Sequence, residues 1–119
     1  MRRPAIAFLA DLAVLIVFVL VGRAEHDSGS EFVGYLATLA PFALALTLAW
    51  AATPTIRRKP FAARIGATVW AVTLVGGMAL RRLVFGDGIA LAFIIVAAAF
   101  TALGIIGWRA VTERIPARP

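Results

Sequence analysis

The sequence contains no cysteine, only one histidine, and half as many acidic residues (6) as basic ones (12). The absence of cysteine excludes disulfides, thiolate metal sites and cysteine nucleophiles. No phosphate-binding loop, dinucleotide fingerprint or zinc-protease motif is present. His26 stands beside Glu25 and Asp27, a spacing that metal sites rarely use. We therefore expect no catalytic residues, no cofactor and no metal ion, and a protein that is not an enzyme.

Hydrophobic residues make up 62% of the 119 residues, against about 45–50% in a soluble domain. They form four long runs, and a helix of about 20 such residues crosses the hydrocarbon of a bilayer. Outer-membrane barrels instead show short segments of alternating polarity. The sequence predicts an all-α fold, a four-helix transmembrane bundle in one integral membrane domain over 1–119. We place its spans 1 to 4 at about 4–22, 32–52, 61–80 and 89–108.

The basic residues are distributed unequally between the two sides of these spans. Because cytoplasmic loops are enriched in Lys and Arg, both termini are expected in the cytoplasm of a multi-pass cell membrane protein. This bias also explains the net charge of +6, so we expect a lipid bilayer and not nucleic acid as the partner. The side that carries the termini has nine basic residues (Arg2, Arg3, Arg57, Arg58, Lys59, Arg64, Arg109, Arg114, Arg118). The opposite side has three (Arg23, Arg81, Arg82).

Span 1 also has features of a cleaved signal peptide. Arg2 and Arg3 precede the apolar run, and Gly22-Arg23-Ala24 resembles a cleavage site. The length of the run and its internal carboxylate favour a retained span.

Asp11 lies inside span 1, about 10 Å below the membrane boundary at 1.5 Å per residue. A carboxylate at this depth should face the bundle interior and find a partner. Arg64 or Arg109 can supply a cation along its alkyl stem, or a protonated Asp11 can donate a hydrogen bond. We predict an intramembrane polar site at Asp11, which is either an interhelical hydrogen bond that fixes packing or a proton- or cation-linked site. Helix rise places Thr47, Trp50, Trp70, Thr73 and Thr101 at the same depth.

Two further groups of residues lie at the ends of the spans. Arg23, His26 and Arg81 form an outer-face cluster, expected to pair with carboxylates or lipid phosphates, or to remain as solvated loop charges. Trp50, Trp108 and Arg109 lie at the inner ends of spans 2 and 4, which suits the aromatic and basic belt of a membrane interface.

The two halves of the chain resemble each other weakly. One shift aligns Arg23 with Arg81, Phe42 with Phe100 and Trp50 with Trp108. Span 1 then falls on span 3 and span 2 on span 4, which favours two tandem helical hairpins. Small residues at four-residue spacing, such as Ala45/Ala49 and Ala67/Ala71, predict close helix contacts.

Several short motifs occur in a particular order along the chain. They are Asp11 in span 1, Gly22-Arg23 with His26 at its exit, Pro41-Phe42 in span 2, Arg81 closing span 3, and Gly107-Trp108-Arg109 closing span 4. In the order and spacing of these motifs, the sequence resembles the bacterial and archaeal family known as domain of unknown function 3054. The resemblance implies a small four-span membrane protein and no particular activity.

Three functions fit these observations. The favoured one is a transport or permeation protein that acts through Asp11, as a homo-oligomer or in a larger membrane complex. The second is an accessory or assembly subunit that docks through its small residues. The third is a membrane enzyme acting on a lipid or quinone headgroup through His26, Arg23 and Arg81.

Overall fold

The chain folds into four long helices and one short one in a computed structural model that describes residues 2–25, 32–84, 86 and 91–114. The helices are α1 (Arg2–Glu25), α2 (Phe32–Ala52), α3 (Pro54–Arg58), α4 (Ala63–Leu83) and α5 (Leu91–Glu113). Within the described ranges there is no strand. The predicted all-α four-helix bundle is confirmed.

The four long helices are long and apolar enough to cross a membrane. At 1.5 Å per residue, the 21 residues of α2 span about 31 Å, close to the hydrocarbon thickness. Large apolar side chains point outward, including Val75 (68% exposed) and Leu103 (77% exposed). Exposure of such an apolar surface to water is energetically unfavourable, whereas contact with lipid chains is not. These features are those of a multi-pass membrane protein.

The helices follow one another around the bundle in the order α1, α2, α4, α5, and α5 closes the ring against α1. This is the arrangement expected of two hairpins, α1–α2 and α4–α5, placed side by side. The contacts of α4 with α2 and α5 are the most extensive, whereas α1 packs less extensively on its neighbours.

Glycines allow the closest helix approaches. A side chain at Gly77 would lie 2.2 Å from Phe42 of α2, and one at Gly104 would lie 2.4 Å from Val14 of α1. Among the buried aromatic side chains, the ring of Phe18 packs against those of Phe42, Phe93 and Phe100. Small residues thus bring the backbones together, as helices without a hydrophobic driving force require.

The helix bounds differ in places from the predicted spans. Phe61, the predicted start of span 3, lies in the turn before α4, which the Ala62 N–H closes by donating to the Lys59 carbonyl at 3.2 Å. The last span continues past Trp108 to Glu113. Between the predicted spans 2 and 3, α3 begins at Pro54 and packs Ile56 into the core.

Candidate functional site

Asp11 is fully buried in α1, and its carboxylate accepts four hydrogen bonds. Arg109 donates two of them in a bidentate pair, Nη1 to Oδ1 at 2.7 Å and Nη2 to Oδ2 at 2.8 Å. Trp108 donates Nε1–H to Oδ1 at 2.9 Å, and Trp50 donates Nε1–H to Oδ2 at 3.1 Å. Each oxygen therefore receives one guanidinium and one indole donor. We call these four residues the Asp11 cluster.

The guanidinium of Arg109 is as completely enclosed as the carboxylate, with both side chains 0% exposed. Its Nε donates to the carbonyl of Pro60 at 2.8 Å, and Nη1 also donates to the carbonyl of Ile105 at 3.0 Å. The guanidinium carbon lies 4.4 Å from the ring centroid of Trp108. Arg109 thus joins α1, its own helix and the turn before α4.

The surrounding packing leaves room for the long Arg109 stem. A side chain at Gly66 of α4 would lie 2.9 Å from Arg109 Cδ and 3.2 Å from the Cα of Ile106. The two indoles are braced by edge-on aromatic contacts, Phe8 against Trp50 and Phe61 against Trp108. The packing thus fixes the positions of these hydrogen-bond donors around Asp11.

A buried ion pair is stable only when hydrogen bonds satisfy both partners, and this pair meets that condition. Removing one partner from such a pair destabilises a protein by about 3–5 kcal/mol because the other charge remains buried. In this geometry the carboxylate has no direction open to solvent.

Of the five residues predicted at the depth of Asp11, the structure brings Trp50 to it. Trp70 instead donates Nε1–H to the carbonyl of Ala98 at 3.0 Å and so ties α4 to α5. Thr47 is exposed and bonds to the Ala43 carbonyl, and Thr101 bonds to the Ala97 carbonyl. A hydroxyl on a membrane helix is readily satisfied by its own backbone, so equal depth did not imply a shared site.

Thr73 is the remaining residue of that predicted belt. It is buried, and within the described ranges its hydroxyl has no hydrogen-bond partner. It therefore contributes nothing to the coordination of Asp11.

The interpretation of Trp50, Trp108 and Arg109 as an interface belt needs correction. Trp50 is 6% exposed, Arg109 is fully buried, and both indole N–H groups point to Asp11 and not to lipid headgroups. A carboxylate inside the bundle attracts these donors more strongly than the interface does. Arg64, the other cation considered for Asp11, is exposed.

The outer-face cluster lies largely outside the described residues. His26 and the side chain of Arg23 are in that part of the chain. The guanidinium of Arg81, in the last turn of α4, lies over the ring of Phe93 at 4.3 Å from its centroid. Within the described ranges no group of three or more His, Cys, Asp or Glu side chains is placed to hold a metal ion.

Pro60 and Gly66 belong to the site although the sequence pattern did not indicate them. Pro60 contributes only a backbone carbonyl, and Gly66 contributes only the absence of a side chain. Neither property is visible in hydropathy or charge.

Comparison with known proteins adds the family of the chain. No curated protein and no solved structure matches it. The family described as protein of unknown function (DUF3054) matches residues 8–112, a range that contains all four residues of the Asp11 cluster. The resemblance inferred from the order of the motifs is thereby confirmed, and the chain belongs to the DUF3054 family.

Proposed function

We propose that this chain is a small transport or permeation protein of the cytoplasmic membrane, in which Asp11 exchanges a proton or small cation. The ion pair with Arg109 holds the closed state. The observation that supports this most is the Asp11 cluster, two fully buried charges inside an otherwise apolar bundle.

The argument starts from the energetic penalty of burying charge. An ionised carboxylate within a membrane span costs about 2.5–3.5 kcal/mol on insertion scales. Replacing a buried ion pair by apolar side chains of similar volume is often neutral or stabilising. Helix packing alone therefore does not require Asp11 and Arg109, and a role that uses their charge accounts for them better.

The position of the pair also favours a gate. It joins α1 to α5, the neighbouring long helices with the least extensive contact in the ring. The close approach of Val14 to Gly104 is a second contact along this seam. If Asp11 took up a proton, the bidentate attraction would be lost and α1 would be the helix most easily displaced.

Orientation follows from charge. Arg109 pairs with Asp11 inside the bundle, so we leave it out of the count of basic residues on the terminal side. That side then has eight basic residues and the opposite side has three. We accordingly propose cytoplasmic termini, with the Asp11 cluster near the cytoplasmic end of the bundle. Four helices enclose little space, so we also propose that the protein works as a homo-oligomer or within a larger membrane complex.

The test is proton flux in liposomes that contain the purified full chain, a pH-sensitive dye inside, and an imposed potassium gradient with valinomycin. Wild type should acidify or alkalinise the lumen faster than protein-free liposomes do. Asp11→Asn should lose this flux, since an amide carries no exchangeable charge.

Asp11→Asn leaves Arg109 buried without its partner, so loss of folding is a competing explanation. The double variant Asp11→Asn/Arg109→Gln removes both charges and leaves a polar amide at each position. It should fold, as judged by helical circular dichroism and a single gel-filtration peak, and should still show no flux. Wild-type flux in this double variant, or no flux in wild type, would contradict the proposal.

An accessory-subunit role is the second candidate. Ala45 and Ala49, predicted to give close helix contacts, are buried within the bundle, whereas Ala67 and Ala71 are exposed one turn apart on α4. Such a pair lets another helix approach closely. Gentle solubilisation should then recover one stoichiometric partner that Ala67→Leu/Ala71→Leu releases, whereas repeated recovery of the chain alone argues against this role. The headgroup enzyme stays a prediction, because His26 lies outside the described residues.

A further inference from the structure

A basic pocket opens at the end of the bundle that carries the first residues of α1 and the last of α5. Its volume is about 470 Å³, and its lining includes Arg57, Arg58 and Lys59 with Pro4 and Pro60. Arg58 and Lys59 are exposed. Arg57 is fixed by two bonds from Nη1, to the carbonyls of Trp50 (2.6 Å) and Ala51 (2.7 Å). Three consecutive cations thus surround one cavity.

One carboxylate also lines this pocket, and its position is fixed. Glu113 of α5 accepts the backbone N–H of Ala63 at 3.0 Å, which ties it to the first residue of α4. The three cations outnumber it, so the pocket attracts an anion.

An apolar groove continues from the basic pocket along the outside of the bundle. It lies between α1 and α2, has a volume of about 360 Å³, and is lined by Ala5, Phe8, Thr47, Trp50 and Ala51. Pro4 and Arg57 line both cavities, so the two are adjacent. The hydroxyl hydrogen of Thr47 is donated to the Ala43 carbonyl at 2.8 Å, which leaves the groove with apolar walls.

We propose that the pocket and groove together bind one anionic glycerophospholipid. Its phosphate lies among Arg57, Arg58 and Lys59, and an acyl chain lies along the groove between α1 and α2. The charge of the pocket selects an anionic headgroup. The apolar groove directly beside it selects a molecule that carries a hydrocarbon chain next to its phosphate. This assignment goes beyond the proposed transport function and does not depend on it.

The lipid site touches the Asp11 cluster at two points. Trp50 lines the groove and donates to Asp11, and Pro60 lines the basic pocket and accepts from Arg109. A bound lipid therefore packs against both the acidic and the basic side of the ion pair. Occupancy should therefore stabilise the folded bundle.

Native mass spectrometry of the full chain in detergent tests this site, with phosphatidylglycerol, phosphatidylcholine and inorganic phosphate as probes. Wild type should retain one phosphatidylglycerol in preference to phosphatidylcholine. Arg58→Gln/Lys59→Gln should lower phosphatidylglycerol retention by about tenfold, since each basic residue near an anionic lipid contributes to attraction. The matched control Arg64→Gln/Arg114→Gln removes two exposed charges outside the pocket lining and should leave retention within about twofold, because they do not contact the headgroup.

A second pair of variants tests the groove. Ala51→Phe fills it and should reduce retention of both lipids, whereas Ala67→Phe, on the exposed face of α4, should not. Circular dichroism and gel filtration establish that each variant is folded. Equal retention of the two lipids by wild type, equal loss in the two double charge variants, or displacement of phosphatidylglycerol by inorganic phosphate would overturn the assignment.

Discussion

Asp11 and Arg109 stand near opposite ends of the sequence, yet each is the other's main electrostatic partner. The two tryptophans extend the pair to a network in which each carboxylate oxygen has two donors. Hydrogen bonds to a charged group contribute about 1.5–3 kcal/mol, against about 0.5–1.5 kcal/mol for neutral ones. Trp50 and Trp108 should therefore matter more to stability than a tryptophan bonded to a backbone carbonyl.

Trp70 provides the comparison for this expectation, because its indole donates to the neutral carbonyl of Ala98. Trp108→Phe and Trp70→Phe each remove one N–H and nearly the same ring volume. We expect Trp108→Phe to lower the free energy of unfolding by about 1–2 kcal/mol more than Trp70→Phe does. Unfolding in sodium dodecyl sulfate, followed by circular dichroism, measures the difference. Equal losses would mean that the indole of Trp108 does not stabilise the carboxylate.

At the scale of the helices, the seam between α1 and α5 depends on a few close contacts. Gly104 faces Val14, where any side chain would lie within 2.4 Å of a methyl group, whereas Gly107, on the same helix, has open space around it. The two glycines therefore form a natural pair of test positions.

Gly104→Ala should push α5 away from α1 and destabilise the bundle by about 1–3 kcal/mol, the usual effect of overpacking. Gly107→Ala should be neutral or stabilising by up to about 1 kcal/mol, because alanine is the better helix former. The same unfolding assay measures both stability changes. Val14→Ala in the Gly104→Ala background should restore part of the loss, and a Gly104→Ala variant as stable as Gly107→Ala would show that the seam is looser than described.

Residues that are equivalent in the two hairpins contact the same partners on α1. Trp50 and Trp108, which occupy equivalent positions, donate to opposite oxygens of Asp11. Phe42 and Phe100, also equivalent, both pack on Phe18. The matched residues of α2 and α5 thus converge on α1. The same shift places Val69 and Gly76 of α4 opposite Asp11 and Phe18, so α4 has no carboxylate at the position equivalent to Asp11.

Hydropathy and charge were sufficient to predict the fold class, because four apolar runs in a 119-residue chain admit few arrangements. They also identified Asp11 and offered Arg109 as a partner. Depth in the membrane did not predict the partners of Thr47 and Thr101, since a hydroxyl can bond to its own helix at any depth. Depth also did not predict that Trp108 bonds to Asp11, because a tryptophan at the end of a span is equally typical of the membrane interface. The choice between such alternatives depends on which helix faces which, and one sequence does not encode that in its local pattern.

At the scale of the whole molecule, the proposed orientation makes the two ends chemically distinct. The long axis of the chain measures 48 Å, enough to reach both surfaces of a bilayer. Arg58 and Arg82 are exposed near opposite ends. The absence of native cysteine makes single-cysteine labelling unambiguous.

Arg82→Cys should react with a membrane-impermeant maleimide in intact cells, whereas Arg58→Cys should react only after the cells are lysed. Both variants should react equally in detergent, which controls for local reactivity. Labelling of Arg58→Cys in intact cells would reverse the proposed orientation, and the lipid of the basic pocket would then belong to the outer leaflet.

The ion pair that closes the ring of helices is the feature on which this account most depends, and a double-mutant cycle measures it most directly. Asp11→Asn and Arg109→Gln should each destabilise the full chain in lipid-detergent micelles by about 3–5 kcal/mol. The double variant should be no less stable than either single one, which corresponds to a coupling energy of at least about 3 kcal/mol. Additive losses, with a coupling energy near zero, would contradict a direct pair between the first and last spans.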